Sequence, residues 1–388
     1  MRDREPYAVR EVFAHSLEDF LEDHYTSRVQ RDAANAIADC KTGRLGVNFT
    51  TCDECGYTEA HNCSCRNRNC PNCQGVIKDV WVEQRRAEVI DAKYFHAVFT
   101  VPHSLNALFL SNQVLLYKLL FSAASQTLLT LSRDESYLGA EPGIVMVLHT
   151  WSRTLDYHPH VHCIISGAGL TRDHKLKLSG EKFFIPIKAA MKMFRGKFME
   201  TLRSYHDSGK LVIPDSCSEL KSSDCWYAFV SKLYTTDWCP YIKETMNGSG
   251  DALKYLGRYT NRIAISNARI TDVTGSSVTF WYKDRKDHNV RKEMTLSHEE
   301  FIRRFLMHVL PKGFQKIRYY GYLSNSVKKK KLRILFDLQG RQLFKARFSM
   351  DTSKDEILKI LYGIDVHKCP RCGKSALRSE GSRSILRE

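Results

Sequence analysis

His158-Pro159-His160-Val161-His162-Cys163-Ile164-Ile165-Ser166 is the stretch on which the reading of this chain turns. Val161, Cys163 and Ile165 alternate with the other residues. That predicts a β-strand, because successive side chains on a strand point to opposite faces. His160 and His162 then share one face, while Val161 and Cys163 enter a core on the other. Two imidazoles side by side on one strand supply half of a metal site. A lone histidine on a strand is usually a packed, hydrogen-bonded residue; two on one face fit that reading less well. An open site for a divalent ion needs a third ligand. His149 is the first candidate, because it ends a second expected strand, Gly143 to Thr150. The linker 151–159 is short enough for the two strands to be neighbours. His158 and His96 are the alternatives.

Working outward, the pattern from about 94 to 270 is mixed α/β. Tyr94 to Val101 reads as a strand stopped by Pro102. Helical spacing appears near 104–133, 187–207, 224–235 and 250–260. Arg269 to Lys283 reads as a hairpin around Thr274-Gly275-Ser276. Helical periodicity returns at 298–310. Toward the N-terminus, Val9, Val12, Phe13, Leu17, Phe20 and Leu21 recur at helical spacing, as do Val29, Ala33, Ala34, Ile37 and Ala38. A further helix is expected at about 77–90.

Residues 47–75 are rich in cysteine and poor in large apolar side chains, so metal must replace a core there. Cys52-Asp53-Glu54-Cys55 and Cys70-Pro71-Asn72-Cys73 are two CxxC pairs. Together they offer the four thiolates that structural zinc takes. Cys63, Cys65 and His61 lie between them, so either Cys65 replaces one of the four or a second metal binds. Cys369-Pro370-Arg371-Cys372 supplies two more thiols. Cys40 or another part of the fold completes that site, or no metal binds there. The 13 cysteines, odd in number and clustered, argue for metal over disulfides. Arg66, Arg68 and Lys78 surround the knuckles and are candidate phosphate contacts.

Ala252 to Tyr259 is a short helical segment that puts Tyr255 and Tyr259 on one face, four residues apart. A phenol with a pKa near 10 needs help to attack. Lys254 and Arg258 are cations at hand. The alternative is an aromatic pair packed on the sheet.

The chain of 388 residues has 59 Lys and Arg against 43 Asp and Glu, a net charge of +16. An excess of this size points to a polyanionic partner. It peaks at Lys328-Lys329-Lys330-Lys331, inside the basic aromatic stretch Lys312 to Arg333 (Phe314, Tyr319, Tyr320, Tyr322). That stretch suits single-stranded DNA, or else it is a half-buried element with a solvated lysine run. No uninterrupted run of about 18 apolar residues stands out, so no transmembrane helix is expected. Met1 to Pro6 lacks the apolar core of a signal peptide, so the expected location is cytoplasmic.

These motifs together resemble the two-tyrosine HUH transposases of the insertion-sequence ninety-one family. The resemblance covers nearly the whole length. It rests on Cys40-Lys41-Thr42, the Cys52/Cys55 pair, Ser64 to Gln74, and Tyr94 to His103. It continues in His149-Thr150, His158 to His162, Tyr255-Leu256-Gly257-Arg258-Tyr259-Thr260, Ile317 to Gly321, and Cys369 to Gly373. One departure is Asn69, where the family's motif carries histidine.

The resemblance implies an α+β chain in three parts. Residues 1–90 would be a helical, zinc-binding DNA-recognition domain. Residues 91–310 would be a ferredoxin-like HUH nuclease domain with an antiparallel sheet, and 311–388 a basic C-terminal region with a CxxC knuckle. His160 and His162 would hold magnesium or manganese, and Tyr255 and Tyr259 would be the nucleophiles. The substrate implied is single-stranded DNA with hairpin ends, cut and rejoined at the ends of a mobile element. The competing readings are an HUH replication initiator or relaxase, and a non-catalytic zinc protein that binds DNA.

Overall fold

The computed structural model describes residues 8–180, 185–238, 241–246, 257, 263–342, 347 and 352–383. Two helices open the chain, α1 (Val9–Asp23) and α2 (Arg28–Ala38). A capping box starts α2. The Ser27 hydroxyl accepts from the Gln30 amide, and the Gln30 side chain accepts from the Ser27 amide. A hairpin of β1 (Val47–Cys52) and β2 (Thr58–Asn62) precedes α3 (Gln74–Arg86).

Next come β3 (Tyr94–Thr100), α4 (Asn106–Ser111), α5 (Gln113–Arg133), β4 (Glu141–Trp151) and β5 (Tyr157–Leu170). They are followed by β6 (Leu176–Leu178), α6 (Ile187–Asp207), α7 (Ser223–Thr235) and β7 (Tyr241–Met246). A second small sheet contains β8 (Ile270–Val273), β9 (Ser277–Asp284) and β10 (Val290–Ser297), which runs into α8 (His298–Leu306). The chain continues through β11 (Ile317–Gly321), α9 (Lys328–Leu338), α10 (Lys354–Tyr362) and β12 (Leu377–Arg383).

The architecture is α+β, and the main sheet is antiparallel in the order β11-β4-β5-β3-β7, with β6 beside the end of β5. Alternation sorts its side chains as the sequence predicts. Ala97, Phe99, Ile144, Met146, Leu148, Val161, Cys163 and Ile165 face one core, with Leu120 and Leu128 of α5, Phe194 and Phe198 of α6 and Trp226 of α7. Each large apolar side chain buried there contributes about 1.5–3 kcal/mol. Tyr94, Val145 and Ile164 face the opposite way, toward Leu332, Leu335 and Phe336 of α9, with Trp81 and Val82 of α3 packed alongside. By length and composition alone α5 could cross a membrane. Its apolar side chains instead fill the core beside the sheet.

A third core joins distant segments. Val9, Phe13 and Ile37 pack with Phe280, Phe301 and Phe305, and the Phe13 and Phe305 rings meet edge to face at 5.3 Å. Residues 9–38 thus share an interior with residues 264–309. The C-terminal part is tied in twice. β11 adds to the main sheet beside β4, and β12 pairs with β1.

The aromatic side chains around β11 are buried or half-buried, which fits the second reading of that stretch. Phe314 and Tyr322 are buried. Tyr319 accepts hydrogen bonds from Trp81 and Arg85, and Tyr320 packs against the main core. Gly321 ends β11 with φ +62°, and a Cβ there would lie 1.7 Å from the Pro142 carbonyl oxygen. Only glycine fits so close a backbone crossing.

Candidate functional site

The hairpin of β4 and β5 sets His149 directly opposite His160, and Val147 opposite His162. All three histidines lie on the face away from the main core. Their ligand nitrogens come within 4.8 Å of one another. His149 and His160 are buried and His162 is half-buried, so the group opens to solvent on the His162 side. Of the three candidates for a third ligand, His149 is the one in this cluster.

Neighbours hold the rings. His160 Nδ1 lies 2.6 Å from the His158 carbonyl oxygen. A carbonyl only accepts, so Nδ1 carries the proton and Nε2 keeps its lone pair. Burial holds the His160 pKa down at about 3, so the ring is neutral over the working pH range. His162 Nδ1 lies 2.9 Å from His96 Nε2, and the two rings stack at 9°. His96 is thus placed behind His162, not in the cluster. His149 stacks on Trp151 at 4.6 Å, and His158 stacks on His103 at 4.9 Å.

The two Nε2 atoms of His160 and His162 are 3.2 Å apart. Adjacent ligands on an octahedral ion with bonds of about 2.1 Å are separated by about 3.0 Å. The residues therefore fit a divalent ion. An all-imidazole set favours manganese over magnesium, which prefers oxygen ligands.

Tyr255, Tyr259, Lys254 and Arg258 lie outside the described residues. Gly257, between the two tyrosines, is described. A Cβ on it would lie 3.0 Å from Val82 of α3, a helix that covers the histidine-bearing face of the sheet. β7, the strand preceding this segment, is next to β3, and its Tyr241 meets His96 edge to face at 6.1 Å.

The cysteines sort differently from the single four-thiol site that the two N-terminal CxxC pairs suggest. Cys70 and Cys73 gather with Cys65 and Cys40, whereas Cys52 and Cys55 gather with Cys369 and Cys372. In the first group, Cys73 Sγ is 3.7 Å from both Cys40 Sγ and Cys65 Sγ. A tetrahedral zinc site with bonds of about 2.3 Å has sulfurs about 3.8 Å apart. This group ties the end of α2 to the start of α3. Cys63 belongs to neither group.

The sequence pointed away from this sorting because the two N-terminal pairs are nearest in the chain. A finer signal was present. Cys55 and Cys372 are each followed by glycine, Gly56 and Gly373, whereas Cys73 is followed by Gln74.

The basic candidates divide too. Arg66 is exposed at φ 55°. Arg68 donates to the Phe314 carbonyl at 2.8 Å and so anchors the cysteine segment to the loop before β11. Lys328 pairs with Glu88 at 2.7 Å, and Lys331 pairs with Glu141. Lys329 and Lys330 face solvent.

Comparison with known proteins agrees with this layout. Residues 143–331 match the family described as "Putative transposase", and residues 12–101 match "Transposase zinc-binding domain". The chain is 38% identical to "Putative transposase y4qJ" of Sinorhizobium fredii over 94% of this chain and 92% of that protein. It is 29% identical to "Transposase for insertion sequence element IS801" of Pseudomonas savastanoi pv. phaseolicola, over 83% of this chain and 76% of that protein. No solved structure matches. The fold and site define a DNA transposase with a zinc-binding N-terminal region. The chain belongs to the insertion-sequence ninety-one transposase family.

Proposed function

We propose that this transposase acts by HUH chemistry, cutting and rejoining single-stranded DNA at the ends of its mobile element through a 5′-phosphotyrosine. The observation that carries the reading is the convergence of His149, His160 and His162 on one sheet face. The pinned tautomer of His160 supports it, as does Gly257 of the tyrosine segment packing on α3 over that face.

In this reading the phenol oxygen of Tyr255 or Tyr259 bonds to the scissile phosphorus. The bond to the 3′-oxygen breaks, that oxygen takes a proton, and the phenol proton is lost. The phosphodiester energy stays in the new link, so a free 3′-hydroxyl can later reverse the step without ATP. The second tyrosine, four residues away in the sequence, would allow two links in succession, as strand transfer requires. His149, His160 and His162 would hold manganese or magnesium, which would supply positive charge against the phosphate. His160 and His162 stay fixed by the His158 carbonyl and His96, so little reorganisation is needed. Lys254 and Arg258 are proposed to offset the remaining phosphate charge, and Arg66 to contact the DNA backbone. DNA with hairpin ends is the proposed substrate.

Covalent trapping tests the reading. Labelled single-stranded DNA from the element's end is incubated with protein and manganese and run on a denaturing gel. A protein–DNA adduct is expected, lost in His162→Ala and in the double variant Tyr255→Phe/Tyr259→Phe. An adduct that survives the double tyrosine variant would overturn it.

A further inference from the structure

We propose that the chain binds a second structural zinc, held by Cys52, Cys55, Cys369 and Cys372, which clasps the C-terminal segment onto the N-terminal zinc-binding region. Two of these ligands lie far outside residues 12–101, the part that matches the zinc-binding family.

Three independent observations support it. The first is distance. Cys52 Sγ is 3.7 Å from Cys372 Sγ, and Cys55 Sγ is 3.7 Å from Cys369 Sγ. These are the spacings seen in the Cys40, Cys65, Cys70 and Cys73 group, and they match the edge of about 3.8 Å expected for four thiolates on zinc.

The second is backbone shape. Both pairs read CxxCG, and both glycines have positive φ, +67° at Gly56 and +74° at Gly373. In each knuckle the glycine amide donates to the carbonyl of the first cysteine, Gly56 to Cys52 and Gly373 to Cys369, at 2.9 Å in both cases. Two copies of one tight turn therefore present their thiols to each other.

The third is the frame. β12, β1 and β2 form a three-stranded antiparallel sheet, with Cys52 opposite Leu377. The Asp53 amide donates to the Ala376 carbonyl at 3.0 Å. Lys374 pairs with Glu54 at 2.6 Å, and Arg378 with Asp53 at 2.6 Å. This is a zinc-ribbon arrangement assembled from the two ends of the chain. Its sheet has little apolar side chain to bury, since β2 is Thr58–Asn62 and mostly exposed. Metal ligation is what such a small unit needs in place of a core.

The zinc clasp is independent of the nuclease chemistry, so its test does not depend on activity. Zinc per chain is measured on the full-length protein, in a His160→Ala/His162→Ala background so that the histidine cluster does not contribute. Two zinc ions per chain are expected, both with four sulfur ligands by zinc-edge X-ray absorption. Cys369→Ser/Cys372→Ser should retain one, and Cys70→Ser/Cys73→Ser should retain the other. The sulfur coordination of the unsubstituted cysteines decides the matter even where a serine variant fails to fold. One zinc per chain, or two that both survive Cys369→Ser/Cys372→Ser, would overturn the proposal.

Discussion

His96 Nε2 stands 2.9 Å from His162 Nδ1, with the ring centroids 5.2 Å apart and nearly parallel. His96 is buried, and burial holds its pKa down at about 4, so it meets His162 as a neutral ring. Accepting the Nδ1 proton of His162 would leave the outward Nε2 of His162 free to bind a metal. Partners of this kind fix the tautomer and orientation of a metal-binding histidine. His96→Ala should weaken manganese binding about 10–100-fold, with His96→Gln falling between. Calorimetric titration with manganese reads the effect, and unchanged affinity in His96→Ala would show that the contact does not orient the ligand.

Stability should fall in mild acid, in part through a histidine remote from the metal cluster. His308 is buried, with Nε2 3.1 Å from the Leu155 carbonyl oxygen and Nδ1 3.2 Å from the Thr150 hydroxyl. Burial lowers its pKa from 6.5 to about 4. Between those values the unfolded chain takes up a proton that the folded chain refuses. The protein is therefore fully stable with respect to this group above about pH 6.5 and loses stability as pH falls toward 4, with about 2 kcal/mol gone by pH 5. Urea unfolding at pH 7 and pH 5 measures this. His308→Gln should shrink the difference by a similar amount, and an equal drop in both proteins would refute it.

The lysine run should split into two functions. Lys329→Ala/Lys330→Ala removes two exposed cations. It should weaken binding to single-stranded DNA and flatten the plot of log affinity against log salt by about 1.4. Lys328→Ala/Lys331→Ala instead strips half-buried partners from Glu88 and Glu141. That pair should cost about 1–2 kcal/mol of stability. The two double variants, compared by salt titration and urea unfolding, should show opposite profiles.

Gly321→Ala should be disproportionately damaging for so small a change. It places a Cβ at φ +62° and 1.7 Å from the Pro142 carbonyl oxygen. The strain and the displaced β11 edge should cost at least about 2 kcal/mol. A urea midpoint close to that of the parent protein would show that the backbone relaxes freely.

Much of the central sheet was legible in the chain. The alternation of Val161, Cys163 and Ile165 against His160 and His162 is local, as is the brevity of the linker between the two central strands. The structure places Ile187–Asp207 and Ser223–Thr235 as helices close to the expected limits. The strands Tyr241–Met246 and Leu377–Arg383 were not legible, because each gains its hydrogen bonds from a partner distant in sequence. The sequence left the aromatics of 312–333 open between a DNA-facing surface and a half-buried element, because composition does not reveal which face a ring takes.

The sequence by itself determined what is governed by neighbours along the chain. It put two imidazoles on one strand face and paired thiols at metal spacing. Tertiary structure alone decided which groups meet. His149 joins His160 through strand register, while His96 stands behind His162 because β3 pairs with the far edge of β5. Cys55 finds Cys369 across 314 residues. Local periodicity fixes the direction of a side chain, but the partner it reaches depends on how separate segments dock, and that is settled by burial and strand pairing over the whole fold.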